Sequence, residues 1–194
     1  MSHSPLITKL VQSLQALPGV GPKSAQRMAY ELLQRKRVEG VDLSVILKQA
    51  MEQVGNCKLC RNLSELETCN ICNDPKRNKN TLCIVETPAD VIAIEQTSSY
   101  FGFYYVLMGH LSPLDGIGPN DIGIPQLITR VKELTTKEII IATNSTPEGE
   151  ATSFYIKEQM IPLDVFCSRI AHGIPVGGEL EYLDSTTVSQ ALFA

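Results

Sequence analysis

The chain has 194 residues, 43% of them hydrophobic and 20% charged. That balance excludes a collagen-like or wholly disordered chain, and no apolar run reaches the ~18 residues that would suggest a membrane span. The net charge of −4 hides an asymmetry. Residues 1–80 hold 12 Lys/Arg against 7 Asp/Glu, and residues 81–194 hold 5 against 14. A basic front and an acidic rear suggest two tasks on one chain. The first ten residues lack the charged start and long apolar stretch of a signal peptide, so a soluble intracellular protein is expected.

Ser4 and Pro5 open a first helix, with Ile7, Leu10, Val11, Leu14 and Leu17 at helical spacing and Pro18-Gly19 as its stop. Pro22 starts a second, running to about Arg35 with Ala25, Met28, Ala29, Leu32 and Leu33 on one face. Glu39-Gly40 reads as a loop. Asp42 then caps a third helix whose Ile46, Leu47, Ala50, Met51 and Val54 face inward. Residues 55–80 carry few large apolar side chains and four clustered cysteines, so no ordinary core can be built from them.

Strand and helix alternate from there. Strands are expected at Leu82–Val85, Tyr104–Leu107, Ile139–Ala142 and Leu163–Cys167, and helices at Pro88–Thr97, 126–134 and 149–160, which implies a parallel α/β sheet. A Gly/Pro-rich loop spans Gly109–Pro125. The tail reads as a strand at Leu180–Leu183 followed by a short helix from Asp184. Cys83 and Cys167, each in an apolar run, read as core residues. His110 and His172 lie beside glycines without a nucleophile to activate, and no nucleophile elbow or GxxxxGK[ST] loop is present, so no catalytic residue is assigned.

Three constellations carry chemistry. Leu17-Pro18-Gly19-Val20-Gly21-Pro22-Lys23 joins two short amphipathic helices. Gly19 and Gly21 let the backbone approach a ligand closely and take φ > 0. The following helix N-terminus suits phosphate oxygens, and Lys23 and Arg27 add charge on one helix face. Second, Cys57-x2-Cys60 and Cys69-x2-Cys72 have metal-ligand spacing. A closed set of four thiolates favours a structural Zn²⁺, with an iron–sulfur cluster or disulfides as the alternatives. Lys58, Arg61, Lys76, Arg77 and Lys79 are available as a basic rim. Third, the strand ending at Val85 is followed by Glu86, and the strand ending at Ala142 by Thr143-Asn144-Ser145-Thr146-Pro147-Glu148-Gly149-Glu150. In a parallel sheet both segments gather at the carboxyl edge, where ligands bind.

The LPGVGPKSAQRMA segment resembles a helix-hairpin-helix motif, which holds the DNA backbone without reading bases. The strand order and the two strand ends resemble a Toprim domain, with Glu86, Gly149 and Glu150 at matching positions. Asn144 and Thr146 stand where that domain carries aspartates. Mg²⁺ needs anionic oxygens, so the departure speaks against a metal-dependent nuclease or primase-like enzyme, which stays the alternative.

Hairpin, four-cysteine finger, Toprim domain and the RIAHGIPVGGELEYLD tail, in that order over essentially the whole chain, resemble the RecR family of recombination mediators. The resemblance implies an α+β multi-module fold: a hairpin region at 1–54, a zinc finger at 55–79, a Toprim domain at 80–175 and an oligomerisation tail at 176–194. It implies one structural Zn²⁺ on Cys57, Cys60, Cys69 and Cys72, and DNA contacts through Gly19, Gly21, Lys23 and Arg27. It places partner binding around Glu86, Asn144, Glu148 and Glu150. It implies a non-enzymatic protein of the bacterial cytoplasm, found at repair sites on the nucleoid. That protein binds single-stranded, double-stranded or gapped DNA without sequence preference. It works with RecO and RecF to promote RecA loading, as a homodimer or tetramer and without a membrane.

Overall fold

A computed structural model describes residues 4–171, 173, 174 and 176–192; His172 lies outside them. The chain divides into two compact units between Val54 and Gly55.

The first unit is helical: α1 (Pro5–Leu14), α2 (Pro22–Gln34) and α3 (Arg37–Gln53). α1 and α2 pack together, with Ala25 and Ala29 fully buried on α2. Side chains this small let helices approach closely. Ser4 is the N-cap of α1, but its hydroxyl makes no cap hydrogen bond. The third helix departs from expectation. It starts five residues before Asp42, so Glu39 and Gly40 lie inside it. Gly40 N–H already bonds to the Lys36 carbonyl at 2.9 Å, and the Gly40 position packs against Leu32. That contact offsets the roughly 1 kcal/mol that glycine costs in a helix. Nor do its apolar residues face inward: Ile46, Leu47 and Met51 are 61%, 55% and 74% exposed.

The second unit opens with the cysteine segment, which holds an antiparallel pair, β1 (Gly55–Asn56) with β2 (Leu63–Ser64), and a single helical turn, α4 (Asn70–Asn73). The α/β portion follows: β3 (Asn78–Val85), α5 (Pro88–Gln96), β4 (Gly102–Val106), α6 (Ile124–Leu134), β5 (Glu138–Ala142), α7 (Pro147–Met160) and β6 (Phe166–Arg169). The strands form one parallel sheet in the order β4-β3-β5-β6.

Period-two alternation along β3 divides the core between the two sheet faces. Leu82 and Ile84 join Ile139, Ile141, Leu127, Val131, Ile156 and Met160. Cys83 and Val85 join Val91, Tyr104 and Val106. Burial on both faces explains why β3 and β5 read as continuous apolar runs. Cys83 is buried as expected, and burial pushes its thiol up to about 12; Cys167 is half-buried against the first of these clusters.

Two segments differ from the sequence reading. Ile161–Leu163 extends α7 as a 3-10 turn, and Asp164 takes a left-handed conformation (φ 54°), so the last strand begins only at Phe166. Leu180–Tyr182 is a 3-10 turn rather than a strand, before the helix α8 (Ser185–Leu192). Alternating apolar and acidic residues there mimic strand periodicity. The 3-10 turn is closed by its own Tyr182 N–H to the Glu179 carbonyl, at 3.1 Å.

Candidate functional site

The hairpin turn is held by its own backbone. Val20 N–H donates to the Leu17 carbonyl at 3.1 Å, and Gly19 sits at φ +78°, where a side chain would be strained. Gly21 is different. Its φ of −76° suits any residue, and a Cβ there would meet nothing. The space beside Gly21 is open to a ligand. No side chain caps the α2 N-terminus, and the first-turn N–H groups beyond Pro22 are orphans of the helix. Lys23 and Arg27 are exposed and line a shallow groove with Gln26, Tyr30 and Arg35.

The four cysteines converge. The sulfur atoms of Cys57, Cys60, Cys69 and Cys72 all lie within 4.8 Å of one another, three of these residues are buried, and Cys60 and Cys69 sulfurs are 3.6 Å apart. The surrounding backbone is arranged for thiolates: Cys69 N–H points at Cys57 Sγ at 3.3 Å. Hydrogen bonds from the Cys60 and Cys72 thiols pull the Cys69 thiol down, while Cys60 is driven up, chiefly by that same contact with Cys69. Four thiols packed this closely ionise together only around a cation. The set fits a tetrahedral zinc and leaves no open ligand position, so the metal's role is structural. The finger is tied to the sheet by Val106 N–H on the Cys60 carbonyl, at 2.8 Å.

Two members of the expected basic rim are engaged elsewhere. Lys58 pairs with Glu67 at 2.5 Å. Arg77 is 12% exposed and turns inward to Glu95; its Nη1 lies 2.8 Å from Glu95 Oε1, and Tyr104 Oη donates to that same oxygen at 2.6 Å.

The third constellation forms where β3 and β5 end side by side, with Val85 opposite Ala142. This register brings Glu86 against the segment after β5. Glu86 is buried (3% exposed). Its Oε1 accepts the Asn144 N–H at 2.8 Å and its Oε2 accepts the Asn144 side-chain amide at 2.7 Å. Gly149 fits under this pair, since a Cβ there would overlap the Asn144 carbonyl oxygen. Thr146 caps α7, accepting Gly149 N–H at 3.1 Å. Thr146 is therefore a helix cap rather than a metal ligand. Glu150, half exposed, forms an ion pair with Arg169. Glu148 is partly exposed in the first turn of α7, and its carbonyl accepts from Thr152 Oγ1 at 2.7 Å.

Two partners escape a reading of the sequence. His110 Nδ1 lies 3.4 Å from Glu86 Oε2, although the residues are 24 apart on different loops. Arg169 reaches Glu150 and the Thr143 carbonyl (3.4 Å) from the end of β6. The one available signal for each was its place next to a strand end.

A helical hairpin, a four-cysteine finger and a Toprim-type parallel sheet follow one another on one chain, which is the layout of a modular protein. Family models match in the same order: RecR helix-hairpin-helix over residues 7–51, the RecR four-cysteine zinc finger domain over 54–74, Toprim domain over 80–171 and RecR C-terminal over 173–193. The chain is 57% identical over 190 residues to Recombination protein RecR of Coxiella burnetii (strain RSA 493 / Nine Mile phase I), covering 97% of this chain and 94% of that one. The chain belongs to the RecR family.

Proposed function

We propose that the protein is a non-enzymatic DNA-binding mediator of recombinational repair. It binds single-stranded or gapped DNA through the hairpin of residues 1–54 and promotes RecA loading together with RecO- and RecF-type partners in the bacterial cytoplasm. The observation that carries the reading is the open space at Gly21 beside the exposed Lys23 and Arg27. Glycine there is dictated neither by φ nor by packing, and close approach of a phosphate supplies the reason. Gly19 shapes the turn.

One hairpin makes few phosphate contacts, and affinity grows with the number neutralised. A dimer or tetramer multiplies them through effective concentration. The segment 176–194 is assigned to that assembly, since Leu180, Tyr182 and Leu192 are 61%, 79% and 73% exposed.

The Toprim edge, 80–175, serves as a partner-binding surface through Glu148 and Glu150, positioned by Glu86 and Asn144. A two-metal phosphoryl site needs several free carboxylates; here each Glu86 oxygen already accepts an amide donor and Glu150 pairs with Arg169. The test is fluorescence anisotropy of a labelled gapped duplex over a salt series. Lys23→Ala/Arg27→Ala is expected to weaken binding and flatten the salt slope by about 2; an unchanged slope overturns the assignment.

A further inference from the structure

Beside the zinc finger, α6 presents Gln126, Thr129, Arg130 and Glu133 on one face. With Lys58 and Arg61 of the finger this face lines a pocket of about 280 Å³, and Tyr105 closes one side of it. Arg130 is its anomaly. The side chain is only 10% exposed, and among the described residues the one carboxylate it pairs with is Glu133, at 4.0 Å and itself 58% exposed. Arg130 Nε is buried and has no hydrogen-bond partner. The guanidinium packs over the Phe103 ring, 5.8 Å from its centroid. A guanidinium carries five N–H donors, and burying it with one long carboxylate contact and an unpartnered Nε is expensive. Among the described residues it is the most nearly buried cation left so poorly paired, and it lines the pocket.

The second arginine is held in place from behind. Arg61 adopts φ 64°. Its Nη1 donates to the Ile122 carbonyl, and its guanidinium lies 5.9 Å from the Tyr105 ring centroid. The room for it exists because position 123 is glycine, where a Cβ would overlap Arg61 Nη1. Gly123 is at φ +74° and closes the turn into α6. One residue thus shapes the helix start and clears space for the arginine. Arg61 is thus held in place before any ligand arrives, and the buried Nε of Arg130 leaves its terminal nitrogens as the groups a ligand would meet.

We infer that this pocket binds a phosphate group, with Arg130 and Arg61 as its donors; Lys58 at the rim is already paired with Glu67. Planar guanidinium forks match a phosphate oxyanion. Arg61 belongs to the basic front of the chain, and this favours the polyanionic backbone of DNA as the source of the phosphate. In that respect the inference rests on the DNA-binding reading proposed above: the pocket is a second phosphate contact, on the finger and sheet rather than on the hairpin.

The test uses the full-length zinc-loaded protein and two probes. Inorganic phosphate is titrated against thermal melting, followed by circular dichroism with chloride as the ionic-strength control. A labelled oligo-dT is titrated by anisotropy over a salt series. Phosphate is expected to raise the melting temperature of the wild type saturably, and equally in Lys23→Ala/Arg27→Ala. Arg130→Met, which keeps the packing on Phe103, is expected to melt no lower than wild type without phosphate and to lose the phosphate response. It is also expected to bind the oligonucleotide about tenfold more weakly, with a salt slope shallower by about 1. Arg130→Met melting several degrees lower with its phosphate response intact overturns the site and makes Arg130 a packing residue. So does a wild type that phosphate stabilises no more than chloride does. A phosphate response that depends on Arg130 with unchanged oligonucleotide binding keeps the pocket but overturns DNA as its source. A wild type that responds to phosphate yet binds no oligonucleotide also keeps the pocket, and defeats the DNA-binding reading instead.

Discussion

Asn144 gives its backbone N–H and its side-chain amide to one carboxylate: the backbone N–H meets Glu86 Oε1 at 2.8 Å and the side-chain amide meets Oε2 at 2.7 Å. An aspartate in that position would replace one donor by an acceptor carrying like charge. The neutral amide gives each oxygen of a buried glutamate a donor at this sheet edge. Asn144→Asp is therefore expected to destabilise the protein by about 2–4 kcal/mol at neutral pH. Mn²⁺ or Mg²⁺ is expected to restore part of the loss, because paired carboxylates create the anionic oxygen set such ions need. Thermal melting with and without the ion checks this; a neutral effect on stability contradicts it.

The ion pair of Arg77 with Glu95 ties the end of the cysteine segment to α5, and Tyr104 completes it. Hydrogen bonding to Arg77 holds the Glu95 carboxyl below the ordinary carboxylate range. A depressed carboxyl contributes stability above its unfolded value of about 4.3 and loses it as the pH falls through the folded value. Arg77→Ala is expected to cost about 2 kcal/mol at pH 7. The cost should shrink as the pH is lowered past about 4. Denaturant unfolding at several pH values reads this directly.

Gly149 and Gly21 make opposite predictions. A side chain at position 149 meets backbone, the Asn144 carbonyl, so Gly149→Ala is expected to destabilise by about 3 kcal/mol or more. Position 21 is the N-cap of α2 with open space around it, and serine is a better N-cap than glycine. Gly21→Ser is expected to hold or raise the melting temperature while weakening DNA binding several-fold. Lost stability together with unchanged DNA binding removes the ligand from the explanation.

Removal of zinc should unfold the finger selectively. The cluster of Cys57, Cys60, Cys69 and Cys72 is the core of this segment, and structural zinc binding is worth about 10–16 kcal/mol of folding free energy in small fingers. Cys72→Ser is expected to reduce bound zinc well below one per chain by elemental analysis. Protease cutting is expected to move to residues 55–74. A full zinc complement in the variant contradicts the four-ligand site.

Local chemistry made much of this legible in the sequence. The cysteine spacing pointed to the zinc ligands, and the apolar runs marked β3 and β5 because both strands are covered on two faces. Asp42 misled because a good capping residue is only a local signal, and Gly40 is accommodated in α3 by Leu32. The tail alternation at 180–183 misled because period two alone does not supply a strand partner. Glu86, Glu148 and Glu150 could be placed at one sheet edge from strand order. Their partners could not. His110, Arg169 and Arg130 reach their neighbours across the fold, and no sequence spacing encodes those approaches.

The most direct measurement is to incubate the purified protein with an end-labelled gapped duplex and Mg²⁺ at low salt, and to run native and denaturing gels side by side. The account predicts a shifted native band with strands of unchanged length. Shortened or extended strands, lost in Glu86→Gln, would show that an active phosphoryl-transfer site survives at the sheet edge and would contradict it.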